Sequence, residues 1–472
     1  MRKNFSFYLV TLLLFGAGIY FVLRYGAQLS PIASEQSLSF GSVTSDAFVA
    51  ALRHPLAVLL LQLIVIIAVA RVLGALARRV HQPVVSGEIL AGIFLGPSLL
   101  GLLWPQTQSF LFPPASLETL RQLSQLGVIL FMFVLGIELD TKQLRQKAAA
   151  AVLVSHASII VPFFLGVVAA LVVYRELAPP SVSFTPFALF MGIAMSITAF
   201  PVLARILEDR DMVGSPLGVV ALACAAVDDV TAWCLLALVV AVVNSDGLAS
   251  AAVTVLLALG FVGLMLWLVR PQVARVVREE FAEPRYAKNL VAGVLLFVFV
   301  SALATEVIGI HALFGAFVAG VMMPPSVKLR NFLRQRLEAV AGVVLLPLFF
   351  AFTGLRTQIG LLDDLASWLW CLGLIVVAIV GKLGGSMLAA RWAGMSWRDA
   401  TALGVLMNTR GLIELIVLNM GYDLGILSPR IFTMMVLMAL VTTFMTGPLL
   451  TLLGVGRASH VASSVPQARA SG

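Results

Sequence analysis

Asp228 and Asp229 stand side by side in Ala-Cys-Ala-Ala-Val-Asp-Asp-Val-Thr-Ala-Trp (223–233), near the middle of an apolar run long enough to cross a membrane. Ionisable side chains at that depth are costly and mark an ion path or a proton relay. Adjacent carboxylates repel, so the pair resists being charged twice. A carboxylate balanced in this way can exchange a proton for a cation near working pH. Two basic residues also lie inside apolar runs rather than in loops. Lys382 sits in Val-Gly-Lys-Leu-Gly-Gly (380–385), and Arg410 in Leu-Met-Asn-Thr-Arg-Gly-Leu-Ile-Glu-Leu (406–415). A buried ammonium needs an acid, and its natural partner is one of the aspartates. The other is then left for a transported ion. A structural ion pair alone would need one acid, not two. Arg410 and Glu414, four apart, can pair on one helix face, either as a structural tie or as part of a gate.

Two of the apolar runs contain helix breaks. Pro201, in Met-Ser-Ile-Thr-Ala-Phe-Pro-Val-Leu-Ala-Arg (195–205), cannot donate a helical hydrogen bond and clashes with the preceding turn; Thr198 can offer its hydroxyl to the freed groups. Asn408, Thr409, Arg410 and Gly411 are together poor helix formers. Their polar groups are tolerable at membrane depth only where they line a cavity or meet protein. Pro201, Asn408, Thr409, Arg410 and Glu414 are therefore candidates for helix breaking and gating.

The elements that must position these residues follow from composition. The chain has 472 residues, 60% hydrophobic and 11% charged, against roughly 25% charged in a soluble domain. It is expected to be an all-α integral membrane protein. Apolar runs give one N-terminal span, about 5–23, followed by thirteen core spans: 55–77, 84–103, 122–139, 149–174, 185–207, 215–243, 249–269, 288–308, 310–324, 339–355, 367–391, 399–421 and 430–453. The 310–324 run is short enough to require tilt or shielding by protein. Residues 1–30 are expected to form a signal-anchor helix, 55–453 the transmembrane domain, and 454–472 a short cytoplasmic tail. Of the 31 Lys and Arg residues, 23 fall at the termini and in one set of alternate loops, and six in the other set. The positive-inside rule then places both termini in the cytoplasm, as expected of a multi-pass protein of a bacterial inner membrane.

The net charge of +8 does not indicate nucleic acid, because the basic residues sit in short gaps between spans rather than in one patch. Cys224, Cys234 and Cys371 lie inside apolar runs without disulfide or metal-ligand spacing and read as core fillers. The five histidines (54, 81, 156, 311 and 460) are scattered; packing roles are expected for His156 and His311. There is no nucleophile–base pair, metal-ligand cluster or phosphate loop to suggest an enzyme or a cofactor.

The broken spans are the fifth and twelfth of the core, seven apart. The same offset relates span 4 to 11, span 6 to 13, and span 2, with Ala91-Gly92 and Gly96-Pro97, to span 9, with Gly315-Ala316, Ala319-Gly320 and Pro324. Small residues of this kind allow close helix packing. An odd offset makes the halves face opposite ways, the inverted-repeat plan of many secondary transporters, with the site at the midplane between discontinuous helices.

Several stretches together resemble the monovalent cation:proton antiporter-2 family, which includes bacterial potassium-efflux and plant cation/H⁺ exchanger proteins. They are Val-Ser-Gly-Glu-Ile-Leu-Ala-Gly-Ile-Phe-Leu-Gly-Pro-Ser-Leu-Leu-Gly (85–101), Leu-Phe-Met-Phe-Val-Leu-Gly-Ile-Glu-Leu-Asp (130–140), Ser-Ile-Thr-Ala-Phe-Pro-Val-Leu-Ala-Arg (196–205), Asp228-Asp229, His-Ala-Leu-Phe-Gly-Ala-Phe (311–317), Gly381-Lys382 and Asn-Thr-Arg-Gly-Leu-Ile-Glu-Leu (408–415). The resemblance implies a thirteen-helix core with a dimerisation domain and a six-helix translocating domain, in which the broken spans cross near the site. It makes Asp229 the main carboxylate for cation and proton, Asp228 the partner of Lys382, and Thr198 the threonine beside the site. The implied activity is exchange of Na⁺ or K⁺ for protons by a homodimer. Potassium-efflux relatives replace the first acid with a neutral residue and carry a nucleotide-binding domain; this chain has both acids, and no such regulatory domain is expected in it. A proton-uncoupled cation channel or uniporter, and an ion-coupled organic-anion symporter, remain alternatives on the same plan.

Overall fold

The computed structural model describes residues 54–455, apart from 81, 139–147, 209, 244–247 and 282–286. The expected N-terminal anchor within 1–30, and the tail from 456 onward, lie outside the described residues. Among those described, all regular structure is helical. Ten helices are long and apolar enough to cross a membrane, and the bent pair Trp397–Met407 and Leu412–Asp423 makes an eleventh span. Two shorter apolar helices, Phe184–Ser196 and Ala312–Val321, stand in the places of core spans 5 and 9. Every core span thus has its counterpart. Span 9 is short because protein shields it: all its residues from Gly315 to Gly320 are buried. His311 starts it with a positive φ of 78°, accepting from the Leu313 amide, while Glu306 accepts from the Ala312 amide at 2.7 Å. His311 therefore serves as a cap, in keeping with a packing role. Cys224 and Cys371 are buried fillers, but Cys234 is exposed on span 6, because an apolar run in a membrane needs no inward side for every residue.

Some boundaries differ from those expected. Span 2 is helical over Val84–Leu95 and breaks at Gly96–Pro97 before two short helices, Leu100–Leu103 and Pro105–Leu111; proline cannot continue the hydrogen-bond ladder. Span 3 begins at Pro114 rather than 122, since Pro-Ala-Ser-Leu-Glu-Thr-Leu-Arg is helical although too polar to be counted as membrane. Three π turns, Met265–Val269, Ala341–Leu345 and Val380–Gly384, interrupt spans 7, 10 and 11.

Packing sorts the spans into two bundles. In one, span 2 packs on spans 1 and 10, and span 9 on spans 3 and 8. In the other, span 4 packs on spans 5, 6 and 11, span 11 on spans 12 and 13, and span 6 on span 12. Span 7 touches both span 6 and span 8. Each bundle takes three spans from each half of the chain, spans 1–3 with 8–10 and spans 4–6 with 11–13, as the repeat requires. The small-residue faces bring spans 2 and 9 close to their neighbours. A Cβ on Gly92 would lie 1.9 Å from the Ala351 carbonyl oxygen of span 10, and one on Gly320 would lie 2.3 Å from the Phe133 oxygen of span 3. Gly92→Ala is accordingly expected to force spans 2 and 10 apart at a cost of about 1–3 kcal/mol. Thermal unfolding of the purified protein checks this, and an unchanged midpoint would contradict it.

Candidate functional site

Span 5 consists of two helices, Phe184–Ser196 and Phe200–Glu208, separated by three non-helical residues, 197–199, that begin with an extended Ile197. The break precedes Pro201, which sits in the first turn of the second helix, where a missing N–H costs nothing. Span 12 breaks between Met407 and Leu412, with a bend of 43°. The two breaks meet. The Ala199 amide donates to the Thr409 carbonyl at 3.0 Å, and the Thr198 hydroxyl lies 3.2 Å from the Met407 carbonyl. Gly411 permits this approach, because a Cβ there would fall 2.7 Å from Val202 Cγ2.

A helix ended at membrane depth leaves carbonyls without partners and a partial negative charge at its C-terminus. Both buried cations answer this at the end of Phe184–Ser196. Arg410 donates to the Ala194 and Met195 carbonyls at 2.8 Å each, and Lys382 donates to the Ser196 carbonyl at 2.5 Å. Arg410 also pairs with Glu414 at 3.2 Å, both side chains being fully buried. This is the expected i, i+4 pair, but most of the guanidinium serves the other broken span. The Arg410 backbone is held by Thr443 of span 13, whose hydroxyl oxygen lies 3.1 Å from the Arg410 N–H and 2.8 Å from its carbonyl. Thr409 faces Thr446 at 3.5 Å. Asn408 directs its amide nitrogen at Met445 sulfur, 3.8 Å away, and its Oδ1 has no partner. Thr443→Val is expected to strand the Arg410 backbone groups at a cost of about 1–3 kcal/mol, with Thr443→Ser retaining most of the stability. Equal loss in both, read by thermal unfolding, would show that shape rather than the hydroxyl matters.

Asp228 is enclosed by donors. Its Oδ1 accepts from the Ser155 hydroxyl at 2.5 Å. Its Oδ2 accepts from Ser158 at 2.6 Å, Thr198 at 2.7 Å and Lys382 at 2.9 Å. Lys382 completes its set with the Ser158 carbonyl at 2.8 Å. The lysine sits in the π turn Val380–Gly384, a local widening that often marks functional positions. Gly381 lets that turn approach span 4, since a Cβ would lie 2.9 Å from Pro162. The expected Asp228–Lys382 pair is thus present, and Thr198 bonds Asp228. Ser155, Ser158, Ser196 and Thr443 join the site without having been anticipated. The i, i+3 spacing of Ser155 and Ser158 on one face of span 4 was the available signal.

Asp229 differs from its neighbour. It is 4% exposed, and its Oδ1 has no hydrogen-bond partner. The Phe200 amide, at the N-terminal end of the second half-helix of span 5, is directed at its carboxylate, an end that favours negative charge. Five ionisable groups converge at the crossing. Lys382 pairs with Asp228 and Arg410 with Glu414, and Asp229 alone has no basic partner among the described residues.

Crossed broken helices, buried charges at their ends and two bundles drawn from both halves define a secondary transporter of the inverted-repeat class. The profile of the family described as "Sodium/hydrogen exchanger, transmembrane" matches residues 64–455. The chain belongs to this family, in line with the resemblance noted above. It is 45% identical over 397 residues to the Na⁺/H⁺ antiporter NhaS4 of Synechocystis, covering 84% of this chain and 97% of that protein. It is 40% identical to cation/H⁺ antiporter 17 of Arabidopsis thaliana, covering 84% of this chain and 48% of that protein, so it spans about half the length of the plant relative. Its fold is similar to that of the sodium proton antiporter MjNhaP1 of Methanocaldococcus jannaschii, with a TM-score of 0.63, 14% identity and coverage of 85% of this chain and 98% of that one.

Proposed function

We propose that the protein exchanges a monovalent cation, Na⁺ or K⁺, for protons by alternating access, with both ions competing for Asp229. The observation that carries this reading is the Asp229 carboxylate, with an Oδ1 that has no hydrogen-bond partner and no basic partner among the described residues, beside a fully satisfied Asp228–Lys382 pair. The uncharged form of Asp229 holds the proton; the charged form holds the cation, which is the substrate and not a resident metal. Asp228, Lys382 and Thr198 hold the break of span 5 in register beneath it. Pro201, Asn408, Thr409, Arg410 and Glu414 shape the crossing that must shift during exchange. The channel and organic-anion symporter alternatives gain no support from the relatives, which are named as antiporters.

We propose further that residues 55–453 form the transmembrane core of a homodimer of the cell membrane, with both termini cytoplasmic. The Lys and Arg distribution supports that orientation. We read the protein as a transporter and not an enzyme.

The test is proton flux in proteoliposomes. A proton gradient is imposed, Na⁺ or K⁺ is added, and its dissipation is followed with an internal pH dye. Cation-driven dissipation identifies the exchanged ion; an intact gradient with isotope still crossing would make the protein a channel. Competition also sets the sign of the pH dependence. As pH falls through the titration of the shared carboxylate, the apparent cation affinity is expected to weaken by about tenfold per unit. A pH-independent affinity would defeat the shared-site reading.

A further inference from the structure

The two bundles do not meet evenly along their length. At one end, near the Arg78–Arg79 side of span 1, a narrow crevice lies between them, crossed by a single hydrogen bond among the described residues, from Gln82 Nε2 to the Phe444 carbonyl of span 13 at 3.2 Å. It is lined by Pro83, Val85 and Ser86 of the first bundle and by Arg410, Gly411 and Thr443 of the second. At the opposite end the second half of span 12 and the start of span 13 pack directly on span 10 and the turn after it. That contact is polar and dense. Arg356, at the end of span 10, pairs with Asp423, at the end of span 12, at 2.7 Å. It also donates to Asn419 Oδ1 at 3.0 Å. Its guanidinium lies 4.4 Å from the ring of Phe352 and 5.0 Å from that of Tyr422. Asn419 donates back to Thr353 of span 10 at 2.7 Å, and Arg121 of span 3 approaches Asp423 at 3.7 Å. The Gln358 amide donates to the Thr433 hydroxyl of span 13 at 3.0 Å.

Apart from the Phe352 ring, which belongs to span 10 itself, each of these contacts joins one bundle to the other, and all lie at the end away from the crevice. We infer that Arg356 is a positioning residue for exchange: its clamp on Asp423 and Asn419 latches the bundles together on one side and so fixes the side to which the crossing opens. The inference rests on the alternating-access reading above. Alternating access requires the two ends to open in turn, so the latch must release in each cycle. Arg356 touches no transported ion. It acts through the second half-helix of span 12, which begins at the break beside Arg410. Planar guanidinium suits the task, since one side chain can pair a carboxylate, meet an amide oxygen and stack on two rings.

The test reads sidedness and not transport, so its outcome is separable from that of the exchange assay. Val85→Cys places a thiol in the crevice, and its rate of reaction with a membrane-impermeant maleimide is measured in lipid nanodiscs after subtraction of the parent protein's own cysteines. Weakening the latch removes stabilisation from the crevice-open state only, so its population falls. With Arg356→Gln or Asp423→Asn the labelling rate is expected to drop about threefold or more, and Arg356→Lys, which keeps the charge, is expected to recover part of the loss. Arg356→Gln leaves Asp423 beside Arg121, so no acid is stranded; should that variant still fail to fold, Asp423→Asn decides alone. Labelling that is unchanged or faster in a folded variant overturns the latch.

Discussion

Asp229→Asn is expected to reduce cation-driven proton movement by about two orders of magnitude or more, the scale lost when a group that must take up and release a proton is removed. An amide of nearly the same shape binds neither a proton at working pH nor a cation with a full counter-charge. Folding should survive, because Asp229 Oδ1 has no hydrogen-bond partner to lose and the amide oxygen can still face the Phe200 N–H. The measurement is the proteoliposome flux assay, run beside a thermal melt. Wild-type flux in a folded variant would move the site elsewhere, with Asp228 the next residue to test. A lost melt would instead show that the carboxylate is structural.

The second large effect concerns Lys382. Lys382→Met takes away the ammonium that Asp228 meets at 2.9 Å inside a fully buried setting. Asp228 would keep three hydroxyl donors but lose its counter-charge, and the Ser158 and Ser196 carbonyls would lose a donor. Breaking a buried pair from one side costs about 3–5 kcal/mol. Removing both charges, in Asp228→Asn/Lys382→Met, should recover much of that loss, because no isolated charge remains. Thermal unfolding of the single and double variants measures this. A double variant no more stable than Lys382→Met would mean that the lysine is needed for the carbonyls it caps and not for the acid.

Much of this centre was legible in the sequence because charge is rare there. Asp228, Asp229, Lys382 and Arg410 stand out of apolar runs, and the demand that buried charges find partners predicts that Lys382 meets one of the two aspartates; the family resemblance implied Asp228, the acid it meets in the structure. The helical repeat gave the Arg410–Glu414 pair, and Pro201 marked the break of span 5. What sequence did not reveal depends on neighbours distant in the chain. Serine and threonine are common in membrane helices, so nothing in Ser155, Ser158 or Thr443 alone shows that they aim at Asp228 or at the Arg410 backbone. The π turn that carries Lys382 packs through Gly381 against Pro162, a tertiary contact with no local signature. The spacing allows Arg410 a tie to Glu414 or a part in a gate, but its place at the end of Phe184–Ser196 follows only once the two breaks are known to touch. Arg356 and Asp423 were hidden for the opposite reason, since charged residues at span ends are ordinary.

The convergence of three acids and two bases has an energetic consequence for leakage. With both pairs formed and Asp229 deprotonated, the crossing would carry one uncompensated negative charge. Driving an isolated carboxylate past an apolar partner surface is disfavoured by several kcal/mol, whereas the same surface presents little obstacle to a carboxylate neutralised by a proton or a metal ion. On the exchange mechanism proposed above, an empty return stroke is therefore expected to be slow compared with a loaded one. A protein working in this way would idle when either ion is missing, and a standing gradient of the other would be preserved instead of being run down.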